Sequence, residues 1–223
     1  MLFLLMACAP MYRPGLHSAP LFVEEGDLNA YGGASLGGVQ GGVAYAPIEH
    51  LGVRANAQTA GPDYARLSAG VGGWMAGPFD PELSKHTGIR LGLWADAAAG
   101  TSRASLSYFV NDTPSTTSYA GSFWEASAQG LIAFASPKVS SGLSVRAAWF
   151  QIHHAPTSDG FDYNGGVGHF VYVEPMLFAR AGAEQLKLEI QLGGVLPVPF
   201  PEPSGAVGLP LPVNLGLGLV YER

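Results

Sequence analysis

Cysteine occurs once in the 223 residues, at Cys8, so no disulfide can form within the chain. Charge is thin as well: Asp, Glu, Lys and Arg make up 13%, against ~25% in a typical soluble domain. No apolar run approaches the ~18–20 residues that a membrane helix needs. No basic stripe is present and the formal net charge is -6, which excludes nucleic acid as a partner. HExxH and CxxC spacings are missing, and the glycines at Gly70 to Gly73 lack the lysine and helix of a phosphate loop. Disorder is excluded too, because the mean hydropathy is positive at +0.19.

What remains is an apolar chain without long apolar runs, carrying 31 glycines. That is the composition of a membrane β-barrel. Residues 169–193 set the pattern. Val171, Val173, Leu177 and Ala179 share one parity, and Glu174 and Arg180 share the other. After a break at 181–185, Leu186, Leu188, Ile190 and Leu192 alternate with Lys187, Glu189 and Gln191. A period of two means extended strands, because successive side chains leave opposite faces. Two such runs across a short Gly-containing break predict a hairpin.

The same rhythm runs through the chain. Strands are predicted from Leu28 to Leu36, Val39 to Tyr45, Leu51 to Gln58 and about Arg66 to Ala76. Further strands follow over Ile89–Ala97, Trp124–Phe134 and Leu143–Trp149, then the hairpin, then Val213–Glu222. A long polar segment, about Thr101 to Ser118, and a second, His153 to about Gly168, read as loops, and the prolines from Pro197 to Pro203 fill a third. The expected fold is all-β: a single antiparallel up-and-down transmembrane barrel of about ten strands, within a range of about 8–12.

Every apolar parity is free of charge. The opposite parity carries Arg54, Arg90, Asp96, Glu125, Arg146, Glu174, Arg180, Lys187 and Glu189. A soluble barrel with an apolar, ligand-holding interior would fit this alternation, and so would a membrane barrel with an apolar exterior. Three features favour the membrane. The charges are too sparse to cover a water-facing wall. Their signs are balanced, as in pairs within a lumen, whereas a charge facing lipid costs roughly 2–4 kcal/mol at midplane. Breaks near residues 48, 137 and 182 are short, and those near 110, 160 and 203 are long, as between the two ends of a membrane barrel. An even strand count then puts both termini on the short-turn, periplasmic side. In a lumen this narrow, balanced charges suit a salt-bridged filling better than a selective pore.

Leu5-Met6-Ala7-Cys8 looks like a bacterial lipobox, with Cys8 as the lipidated residue. The expected organisation is therefore a signal-peptide remnant over 1–7, a lipidated Pro-containing tether over 8–26 and the barrel over 27–223. The stretch Tyr45-Ala46-Pro47-Ile48-Glu49-His50-Leu51-Gly52-Val53-Arg54, the strand rhythm and the lipobox together resemble small outer-membrane barrel proteins of Gram-negative bacteria, of the lipoprotein-anchored kind. The resemblance covers most of residues 27–223 and brings no catalytic signature. It implies an outer-membrane location, contact with outer-membrane lipid and with the barrel assembly machinery, and a monomer. The terminal Tyr221-Glu222-Arg223 departs from the pattern, since it lacks a final Phe.

Chemistry-bearing residues are few. His153, His154, Asp159, Asp162 and His169 are the strongest cluster, with side chains suited to a zinc-like ion. Adjacent histidines point apart in a strand, so polar loop residues explain the cluster more simply. The same loop could serve an outer-membrane hydrolase, but a partner acid pair on a second loop is lacking, and this reading ranks last. Serines are plentiful, and none is singled out as a nucleophile. Trp74, Trp94, Trp124 and Trp149 suit interface girdles or wall packing. The expectation is thus a non-enzymatic barrel without cofactor or metal, with a structural or loop-mediated binding role. A small pore and a soluble barrel holding an apolar ligand are the alternatives.

Overall fold

Alternating side chains and interspersed glycines leave this chain one way to satisfy its main-chain groups, a strand ladder closed on itself. The computed structural model describes residues 12–78, 86–110, 113–155, 167–198 and 213–223. Strands β1 (Leu28–Ser35), β2 (Gly38–Ile48), β3 (Leu51–Thr59) and β4 (Tyr64–Pro78) are followed by β5 (Gly88–Val110), β6 (Thr113–Ala135) and β7 (Val139–Ala155). Then come β8 (Val167–Gly182), β9 (Leu186–Gly194), β10 (Leu196–Val198) and β11 (Val213–Glu222). Neighbours in sequence pair antiparallel, β9 pairs β11, and β11 pairs β1 to close the ring. The short β10 continues β9 past Val195 and stays on β8. The result is a closed ten-stave, up-and-down antiparallel barrel, as expected.

Leu188 is 53% exposed and Lys187 3% exposed, so the aliphatic parity faces out and the charged parity faces in. The alternation holds around the wall: Leu67, Leu93, Ile132, Leu177 and Leu217 are exposed, while Arg54, Arg90, Glu125 and Glu174 are buried. An apolar ligand-holding interior is therefore ruled out for the described residues. Charged and amide side chains point inward at mid-lumen, between aromatic clusters towards each mouth.

The barrel has two mouths. The proximal mouth carries the turns at 49–50, 136–138 and 183–185 and the connection at 79–87. There β1 begins and β11 ends, joined by Leu28 N–H donating to Arg223 O at 2.7 Å. The distal mouth carries the connections at 36–37, 60–63, 111–112, 156–166 and 199–212. The predicted polar loop over about 101–118 is a correction. Beyond Ser102 and Ala120, β5 and β6 lose their neighbours β4 and β7 and pair only with each other up to Val110 and Thr113. Eight residues of β5 and seven of β6 stand roughly 25 Å past that point. Main-chain groups make the ladder, and beyond the wall neither face has to be apolar, so no hydrophobic alternation marks the extension.

The larger departure is the expected tether. Residues 12–22 do not lie beside the barrel; they run through it. Tyr12 packs in the distal half against Tyr64, Phe123, Phe150, Ile152 and Tyr172. Phe22 packs near the proximal mouth with Ala44, Ala46, Trp74 and Trp94. Between them Leu16 is seated on glycine: a Cβ at Gly216 would stand 2.0 Å from Leu16 Cδ2, and one at Gly33 2.8 Å from Leu16 Cδ1. The chain leaves the lumen, turns at Gly26 (φ 91°) and enters β1. The even strand count correctly puts the ends of β1 and β11 at one mouth. It says nothing about a segment that doubles back before β1, so Tyr12 and Arg223 lie towards opposite mouths. Cys8 is outside the described residues.

Candidate functional site

An extended segment in a closed barrel has no strand to pair with, because the wall has used its own ladder. Its main-chain groups must be met by side chains. Gln40 on β2 supplies both halves of an amide pair: Leu16 N–H donates to Gln40 Oε1 at 2.7 Å, and Gln40 Nε2 donates to Leu16 O at 2.7 Å. From β9, three staves round the ring from β2, Gln191 does the same for His17, at 2.8 and 2.9 Å. Asn214 donates to Gly15 O at 2.9 Å, Gln129 to Ser18 O at 2.9 Å and Gln58 to Arg13 O at 3.2 Å. Arg54 adds Ser18 O at 3.0 Å and Arg180 adds Ala19 O at 2.8 Å. Side-chain amides thus stand in for neighbouring strands. Pro14 and Pro20 fit this role, since they hold the chain extended and bring no N–H to satisfy.

Ion pairs fill the rest of the lumen. Arg54 holds Asp96 through Nε at 2.7 Å and again through Nη2, reaching across β4 above Gly70. Arg66 grips Glu125 with two bonds at 2.9 and 2.7 Å. Arg146 and Glu174 face each other across β7 and β8, with Nε to Oε2 at 2.6 Å, and Arg146 Nη2 also donates to Tyr12 Oη at 3.1 Å. Arg180 pairs with Glu189 at 2.6 Å and with Glu222 at 2.8 Å, and Lys187 meets Glu222 at 2.5 Å. Arg90 is buried too, with Nη1 donating to Ile89 O at 3.0 Å. All nine charged residues singled out from the sequence therefore lie inside. Gln191 lines the lumen beside Lys187 and Glu189, as its parity predicts, and so do Gln58, Gln129 and Glu222; Arg66 and His17 are lumenal residues the alternation does not mark. Arg66 shares its parity with Ser68, Gly70 and Gly72, a signal that glycine diluted.

His17 is the arm's side-chain anchor. Its Nδ1 lies 2.9 Å from Ser144 Oγ and its Nε2 lies 3.4 Å from Glu174 Oε2. Serine, imidazole and carboxylate in one chain of contacts are the parts of a nucleophilic triad. Here Ser144 also accepts from Gln129 Nε2 at 2.7 Å, Glu174 is committed to Arg146, and all three triad-type side chains are fully buried. The lumenal cavity lined by Ser18, Arg54, Gln129 and Arg146 measures about 10 Å³. That admits about one water and no substrate. The cluster holds the arm in place.

The tryptophans divide by parity. Trp124 and Trp149 are exposed on the outer wall, whereas Trp74 and Trp94 are buried in the lumen against Phe22. Arg54 lies over the Trp94 ring, 4.7 Å from its centroid. A girdle role is thus open to two of the four. Of the histidine cluster, His169 stacks on Trp149 on the outside and His153 meets Gln151. Asp159, Asp162 and the His154 side chain lie outside the described residues. Among the described residues no group of three or more His, Cys, Asp or Glu is placed to hold a metal ion.

No protein-family model matches the chain, and no curated protein matches it either. Among solved structures it is similar to the N-terminal β-barrel domain of Pseudomonas aeruginosa OprF, at 10% identity and a TM-score of 0.39, over 89% of this chain and 98% of that one. At that level the match adds nothing to the strand order and register described above.

Proposed function

We propose that this protein is an outer-membrane β-barrel lipoprotein with its lumen closed by its own N-terminal arm. It serves a structural or loop-mediated binding role rather than catalysis. The observation that carries the reading is sidedness: exposed leucines, valines and isoleucines outside, buried arginine–carboxylate pairs inside. In water this arrangement wastes the hydrophobic effect on every strand. In lipid it is the stable one, because apolar side chains meet the acyl chains and charges stay paired. Strands β1, β2, β3, β9 and β11 are 8 to 11 residues long. A tilted membrane strand needs ~9–11. The distal mouth, with the β5–β6 extension, is the outward side, and the proximal mouth is periplasmic.

Membrane fractionation with heat-dependent gel migration tests this reading. The protein should be extracted only by detergent and should migrate faster before boiling than after. Recovery from the soluble fraction without detergent would end the membrane reading. The lipid is tested separately: labelled fatty acid should be incorporated and Cys8→Ser should abolish it. Continued labelling of Cys8→Ser would place the lipid elsewhere.

A further inference from the structure

A segment that only sealed the lumen could enter and leave at one mouth, as an inserted loop does. This one does not. Its polar contacts run in order along the barrel, from Arg13 O on Gln58 to Ala19 O on Arg180, and its ends rest in different aromatic clusters. Pro14 is fixed at the distal turn, where a Cβ on Gly37 would stand 1.9 Å from Pro14 O. Val23 and Glu24 are fixed at the other end, their N–H groups donating to Asp27 Oδ2 at 2.6 and 3.0 Å. Ten residue steps of extended chain span about 33 Å, close to the ~30 Å of hydrocarbon that the wall would cross.

We infer that the arm is an eleventh crossing of the membrane, threaded through the barrel, so that Tyr12 lies towards the outer side, opposite the C-terminus. This rests on the membrane reading above. Recognition is mostly of main chain, by Gln40, Gln191, Asn214 and Gln129, with His17 and Tyr12 setting the register through their side chains. The barrel thus acts as a sleeve for its own N-terminal segment.

Three epitope insertions in the full chain test the threading on intact cells: between Pro10 and Met11, after Gly61 in the β3–β4 turn, and after Arg223. The first two should bind antibody on intact cells, and the third only after the outer membrane is permeabilised. If the Gly61 epitope is reached and the Pro10 epitope is not, the arm does not cross and the inference fails while the membrane reading stands. If the Gly61 epitope is hidden and the Arg223 epitope is reached, the assigned sidedness fails and with it the outward placement of Tyr12. A readout without a membrane checks occupancy of the lumen. In purified Cys8→Ser protein, Leu16→Cys with Gly216→Cys should form a disulfide on oxidation, since the leucine removed makes the room the new Cβ needs. Two free thiols after oxidation would show that residue 16 is not seated on β11 and would overturn the threading.

Discussion

Gln40 and Leu16 exchange two hydrogen bonds of 2.7 Å, side-chain amide against main-chain amide, inside a ring of strands that has no free edge to offer. Gln191 and His17 repeat the exchange from β9, three staves further round the ring. The arm is therefore held as a central strand is held, from both sides, without belonging to the sheet.

Removing one of these clamps should loosen the arm before it harms the wall. Gln40→Leu leaves the Leu16 N–H and C=O buried without their partner, at a cost of about 1–3 kcal/mol. Hydrogen exchange in detergent should show faster exchange at Leu16 and its neighbours, with β5 to β8 unchanged. Equal acceleration throughout the barrel would mean that the arm and wall unfold as one unit.

Sidedness is tested on adjacent residues. Leu188→Arg, close to the proximal mouth, should cost only about 0–1 kcal/mol, whereas Ile190→Arg, at mid-height on β9, should cost on the order of 2–4 kcal/mol and impair assembly. Lys187→Leu keeps the lipid wall intact and leaves Glu222 its bond from Arg180. With single cysteines at these positions in a Cys8-free background, a lipid-resident quencher should reach position 188 and not 187. Quenching at 187 alone would reverse inside and outside.

The Arg146–Glu174 pair should be worth more intact than halved. Arg146→Met strands a buried carboxylate beside His17 and should destabilise by roughly 3–5 kcal/mol. Replacing both, Arg146→Met with Glu174→Gln, should recover much of that loss. Thermal unfolding in detergent compares the four proteins, and a double variant worse than the sum of the singles would contradict this account.

The arm should also set conductance. With residues 12–22 in place the mid-lumen narrows to a cavity of about 10 Å³, next to one of about 240 Å³ at the proximal mouth, so the full chain should be silent in planar bilayers. Shortening both clamps, Gln40→Ala with Gln191→Ala, should give intermittent single-channel openings as the arm loosens. Steady conductance by the unaltered chain would restore the pore reading.

The period-two alternation determined a great deal by itself. Strands, their approximate number, the hairpin at Leu186 and the inward parity of Arg54, Glu125, Glu174 and Lys187 are all local properties, because in a strand the neighbour at i+1 must face the other way. The extension of β5 and β6 escaped that test, since past the wall nothing demands an apolar face. The arm escaped it for a different reason. Residues 12–22 are aperiodic, carry prolines and form no ladder, and what fixes them lies far along the chain: Ser144 and Glu174 for His17, Gln191 for its main chain, Asn214 for Gly15. Those partners exist as a site only once ten strands have closed and turned their polar faces to one axis. Sequence set which side of each strand is polar; only closure of the ring decided that the polar sides would enclose the N-terminal segment.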